Sequence, residues 1–228
     1  MFAALTPLLI FVAFLLLLLV SLSVPVIKSI YLFRLTANIN ASLLDSRATG
    51  SARFGVWGYC LSAIDVSIIG FNHNSPAQCS KAKLGYTFDN NVEMVLRVNG
   101  LTDDVSRAIT TALVLHPIAC GFTFLALLTS LFIIRRRGGN VSRLAYLVTL
   151  GTGLLAAVLT TIVFLIDVIF VAIVRHRVNN ESDDSLNFDW GNAVWMALGA
   201  TIALWGALVG ACAGIFNCGR RQKDVNTY

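Results

Sequence analysis

Polar residues along this chain gather between four long apolar stretches. The stretches run over about residues 5–27, 109–134, 144–174 and 193–216, and the first holds the unbroken run Phe14 to Val20. A helix that crosses a bilayer needs roughly 20 mostly apolar residues. Lipid offers backbone N–H and C=O groups no partner, so each stretch must satisfy its own by forming a helix. The pattern predicts four membrane helices within one domain spanning residues 1–228, separated by a long loop at 28–108, a very short one after Ile134 and another at 175–192. The first stretch has a rival reading as a cleaved signal peptide. It lacks a positive leader, exceeds the roughly 7–15 apolar residues of a signal core, and meets Pro25 and Lys28 without a small-residue cleavage site.

Charge orients the helices. The short connection between the second and third stretches holds Arg135, Arg136, Arg137 and Arg143, and the segment after Phe216 adds Arg220, Arg221 and Lys223. Residues 175–191 carry two basic residues against Glu181, Asp183, Asp184 and Asp189. Lys and Arg in short loops mark the cytoplasmic side, so both termini are expected inside and loops 28–108 and 175–192 outside. An even number of spans requires the same of the termini.

Composition agrees with this picture. Apolar residues make up 57% of the 228 and charged ones 13%, against roughly 25% charged in soluble domains. The net charge of +5 lies at helix ends and in loops without an aromatic-interleaved stripe, which points to membrane lipid rather than nucleic acid. No Gly-rich phosphate loop, HExxH motif or Cys/His ligand cluster is present in the sequence, so no catalytic residue, cofactor or metal is expected.

Within the long loop, Phe54-Gly55-Val56-Trp57-Gly58-Tyr59-Cys60 alternates aromatic and β-branched residues with glycine and reads as a short strand. A second strand-like stretch runs from Lys81 to Phe88. Cys60 and Cys79 are the only cysteines in the expected outer segments. Bonded, they would staple the two strands with Cα atoms about 4.4–6.8 Å apart, worth roughly 3 kcal/mol; the alternative is two free thiols.

These segments, in this order, resemble the claudin-like tetraspanners, and most closely the PalI family of fungi. The resemblance rests on Thr6-Pro7, Pro25-Val-Ile-Lys-Ser-Ile30, Phe54 to Cys60, Cys79-Ser80, Leu84-Gly-Tyr86, Val114-Leu-His-Pro117 and Phe164-Leu-Ile-Asp-Val168. It implies an all-α membrane four-helix bundle with a small extracellular antiparallel β-sheet. It also implies a plasma-membrane accessory protein that assists ambient alkaline pH signalling by stabilising or localising a polytopic sensor, a seven-transmembrane protein in that family. The alternative is a membrane-organising or adhesion tetraspanner, closer to claudins and eisosome proteins. Two departures stand out: residues 31–53 look longer than the usual loop, and no long polar extension follows the fourth stretch.

Asp167 is the sole acidic residue inside an expected span, and intramembrane carboxylates mark functional candidates. At 1.5 Å per residue it lies roughly 36 Å from Arg143, while His116 lies roughly 28 Å from Arg135. A His116–Asp167 pair fits those depths, as does Lys28–Asp167; the plainer role is a structural clamp between helices. Gly206, Gly210 and Gly214 form a small-residue stripe that suits either internal packing or the face of a partner or second copy. Cys218 beside Arg220 and Arg221 is a palmitoylation candidate. Asn40-Ala-Ser42 and Asn180-Glu-Ser182 are glycosylation candidates outside, whereas Asn140-Val-Ser142 falls inside. His73 reads as a solvated loop residue.

Overall fold

The computed structural model describes residues 2–41, 46–68, 71–82, 102–135, 143–181 and 186–225. Among these residues there are four helices: α1 (Phe2–Ser21), α2 (Thr102–Arg135), α3 (Arg143–Glu181) and α4 (Asn192–Val225). Seven strands join them: β1 (Phe33–Ala41), β2 (Ser46–Phe54), β3 (Tyr59–Leu61), β4 (Ile64–Ile68), β5 (Phe71–Ser75), β6 (Gln78–Cys79) and β7 (Leu186–Trp190). Among the described residues three stretches are long and apolar enough to cross a membrane: Leu113–Ile133, Leu147–His176 and Asn192–Cys212. In the first helix the apolar stretch Leu5–Ser21 is shorter. The protein is thus a helical membrane protein with a small antiparallel sheet.

Several helix ends differ from the hydropathy reading. The first helix stops at Ser21 rather than near Ile27, and Leu22 to Ser29 fold into tight turns around Pro25, which has no N–H to donate to a continuing helix. The other three extend past their apolar stretches: α2 starts at Thr102, α3 runs on to Glu181 and α4 to Val225. Polar residues at a helix end leave no hydropathy signal, yet the helix goes on.

The chain forms two compact units. The first comprises residues 1–18, 117–164 and 196–228, and its described residues are all helical. Its core is small-residue packing: Ala13, Leu17, Cys120, Ala156, Ala157, Ala200, Ala203 and Leu204 form one cluster, and Ile10, Ala126, Leu127 and Ala207 another. A Cβ on Gly206 would meet Leu9 at 3.6 Å, and one on Gly210 would meet Thr6 Oγ1 at 3.1 Å. That part of the glycine stripe faces α1, so it serves packing within the unit. Small side chains let helix backbones approach closely, which supplies dispersion contacts where no hydrophobic effect operates. Trp205 Nε1–H donates to Thr161 Oγ1 at 3.1 Å between α4 and α3, while the Thr161 hydroxyl donates to Ala157 O.

The second unit comprises residues 19–116 and 165–195 and carries the sheet. The strand order is β5-β4-β2-β1-β7, with β3 pairing both β2 and β6, and every pairing is antiparallel. Within residues 31–53, which read as an overlong loop, the described positions 33–41 and 46–53 form most of the paired strands β1 and β2. Strand β7 comes from the second loop and pairs with β1 from Phe33↔Trp190 to Ala37↔Leu186, so both loops build one sheet. Side chains alternate across a strand. Phe33, Leu35 and Phe54 are buried on one face, and Arg34, Thr36, Ser51 and Arg53 lie on the other. Phe33 is the centre of the apolar face. It stacks on Phe54 at 4.6 Å and Phe188 at 5.6 Å and meets Phe170 of α3 edge-on at 5.7 Å.

Because Phe33 touches rings from β2, β7 and α3, Phe33→Ala should destabilise the protein by about 3–5 kcal/mol. The check is the thermal midpoint of the detergent-solubilised chain, with Phe33→Leu expected to lose clearly less.

Candidate functional site

The second unit holds both side-chain constellations that the sequence singles out. The first is the loop Phe54 to Cys60. It is not one strand: β2 ends at Phe54, residues 55–58 turn, and β3 begins at Tyr59. The turn folds onto the segment that ends α1. Val56 N donates to Ser23 Oγ at 2.9 Å and Trp57 N to Val24 O at 3.2 Å, while the Trp57 indole N–H donates to Ser21 O. Gly55 N closes the turn on Gly58 O at 2.9 Å. The approach is so close that a Cβ on Gly55 would lie 2.6 Å from Val24 O. Glycine is therefore required at position 55 by space.

On the far side of the turn, Tyr59 N donates to Ser80 Oγ at 3.0 Å and Ser80 N to Tyr59 O at 2.9 Å. Cys60 and Cys79 are disulfide-bonded across β3 and β6, with Cα atoms 4.0 Å apart. That separation is below the expected range because the two cysteines stand directly opposite each other in neighbouring antiparallel strands, where opposed Cα atoms approach to about 4.5 Å. The partner strand is Gln78–Cys79, ahead of the expected Lys81–Phe88, whose residues from 83 on lie outside the described residues, as does the Leu84-Gly-Tyr86 segment.

The second constellation is His116 of α2 with Asp167 of α3. His116 Nε2 lies 3.1 Å from Asp167 Oδ2, and the two residues are 1% and 4% exposed. Lys28, the other donor considered, is exposed. His116 Nδ1 is buried with no hydrogen-bond partner among the described residues. A direct contact between two buried polar groups on neighbouring helices gives each a partner where lipid offers none. The pair thus braces α2 to α3. Pro117 follows His116 inside α2.

Other expected positions are placed as follows. Asn40 lies in β1 opposite Arg47, and Asn180 lies at the end of α3. His73 is in β5 opposite Val66, not in a loop. Gly214 and Cys218 fall within α4, where their surroundings lie outside the described residues, as does Asn140 altogether. Among the described residues no group of three His, Cys, Asp or Glu side chains could hold a metal ion. Sequence reasoning overlooked Asn192. Its side-chain oxygen accepts from Tyr31 N at 3.1 Å and its amide donates to Ser29 O at 2.9 Å, while Gly191 N donates to Leu32 O at 2.8 Å. An Asn after Gly at the head of an apolar run was the available signal.

His116→Ala and Asp167→Ala should each lower the thermal midpoint. In a double-mutant cycle the pair should show a coupling of about 0.6–1.7 kcal/mol, the range of interhelical hydrogen bonds in membranes. Additive losses would mean that the two side chains do not act together.

A membrane helix, a disulfide-bonded sheet closed by the Trp57 turn, and three further helices in that order define the chain. A family model described as SUR7/PalI family matches residues 2–206. No curated protein matches the sequence. The match covers most of the 228 residues, and the chain belongs to the SUR7/PalI family.

Proposed function

We propose that this protein is a plasma-membrane accessory protein that stabilises or localises a polytopic partner, and that the partner is a sensor of ambient alkaline pH, as the resemblance to PalI implies. In this reading the termini and the connection between Arg135 and Arg143 are cytoplasmic, and the sheet is extracellular. The observation that carries it is the uneven cover of the helices. The apolar span of α3 is 28% buried, against 44% for the spans of α2 and α4. Leu147, Leu155, Leu165 and Ile169 are each half exposed or more. An apolar helix face of that length suits lipid and a neighbouring transmembrane helix, and contact between helices is how an accessory protein without catalytic machinery acts on a partner.

Two outcomes test this. Removal of the protein should slow growth at alkaline pH and lower the surface abundance of the sensor while leaving growth at neutral pH unchanged. A patchy cortical distribution with normal alkaline growth would favour the membrane-organising alternative. Glycosylation mapping should find sugar at Asn40 or Asn180 and none at Asn140; sugar at Asn140 would invert the orientation.

A further inference from the structure

The polar face of the sheet places two arginines directly opposite each other. Arg34 of β1 is in register with Arg53 of β2, and like charges so placed repel. Among the described residues neither guanidinium takes part in an ion pair. Arg34 Nη2 donates to Ser51 Oγ at 3.3 Å, while Arg34 Nε is buried without an acceptor. Arg53 lies over the Tyr31 ring at 5.7 Å, and its Nη1 donates to Lys28 O at 3.4 Å. Lys28 itself is exposed. Asp189 of β7 stands in register with Arg34 on its other side and is the carboxylate on this face nearest in register. Among the described residues at this end of the sheet, three cations stand against one carboxylate, with one donor unmet.

The depth of this cluster decides what would meet it. The apolar span of α4 runs from Asn192 to Cys212, 21 residues, or about 31 Å at 1.5 Å per residue, which matches a hydrocarbon core of about 30 Å. Asn192 therefore marks the edge of the hydrocarbon, and its side chain is bonded to Tyr31 N and Ser29 O. The Arg53 guanidinium, on Lys28 O, sits at that edge. Each headgroup layer adds about 5–7 Å, the layer in which lipid phosphates lie. A guanidinium fork matches phosphate oxygens in geometry as well as charge.

We propose that Arg34, Arg53 and Lys28 form a site for the phosphate group of a phospholipid headgroup at the membrane-proximal edge of the sheet. The bound phosphate would offset the Arg34–Arg53 repulsion and tie the sheet to the bilayer surface. The inference holds whichever way the chain faces, so it stands apart from the proposed pH role.

The test is calorimetric titration of the full-length chain in neutral detergent with short-chain phosphatidic acid, short-chain diacylglycerol and inorganic phosphate. Phosphatidic acid should bind and diacylglycerol should not. Arg34→Gln with Arg53→Gln should weaken binding about 30-fold, the factor for two residues at about 1 kcal/mol each. Asp189→Asn should tighten it severalfold, a gain that a misfolded variant cannot imitate. Equal binding of diacylglycerol, or unchanged binding by the double variant, would overturn the site. Inorganic phosphate binding as tightly as phosphatidic acid would overturn the lipid source.

Discussion

The sheet-bearing unit depends on the hydrogen-bonded closure of the Gly55–Gly58 turn over the end of α1. A helix ends with four carbonyls that have no partner inside it, and at the edge of the hydrocarbon water is a poor substitute. Here Val20 O accepts from Ser23 N and Ser21 O from the Trp57 indole, and just beyond the helix Leu22 O accepts from Ile27 N and Val24 O from Trp57 N. Local turns supply two of these donors and one residue of the β2–β3 turn supplies the other two. A single tryptophan, brought close by a glycine with no side chain, thus joins the sheet to the first helix.

The rest of the unit follows from that attachment. Once β2 is held at Phe54, Phe33 is fixed opposite it and the ring stack extends to Phe188 on β7. Strand β7 leads through Gly191 and Asn192 into α4, and both residues are bonded to the segment Ser29–Leu32 that follows α1. Chain segments far apart in sequence meet over a few residues. The disulfide then holds β6 against β3 on the other flank.

How much of this could be read from the sequence differs by element. The helices were legible because lipid forces every apolar stretch to satisfy its own backbone. Their ends were not, since the polar turns at Thr102–Asp104 and Arg175–Glu181 continue the helix without any hydropathy signal. The His116–Asp167 pairing was one of two that helix rise allows, beside Lys28–Asp167. Strand β7 was missed although Leu186-Asn-Phe-Asp-Trp190 alternates with period two, and β1 carries the same alternation from Phe33 to Ala41. The turn at Gly55–Gly58 was misread as strand because its aromatic and β-branched residues carry strand propensity. The backbone donors of Val56 and Trp57 are instead taken by Ser23 and Val24 just after α1, a tertiary contact that local sequence does not encode. The glycine stripe on α4 could face inward or outward from sequence, and only the approach of Leu9 and Thr6 decides it at Gly206 and Gly210.

The central claim is that the close approach of the β2–β3 turn to the end of α1 holds the sheet in place, and Gly55→Ala tests it most directly. The added methyl would sit 2.6 Å from Val24 O and 2.7 Å from Val24 N and Cβ, so backbone must shift. The measurement is maleimide labelling of Cys60 and Cys79 in membranes under mild reducing conditions, compared with the unsubstituted chain. Both cysteines should label faster in Gly55→Ala, together with a lower thermal midpoint. Labelling and midpoint equal to those of the unsubstituted chain would contradict it.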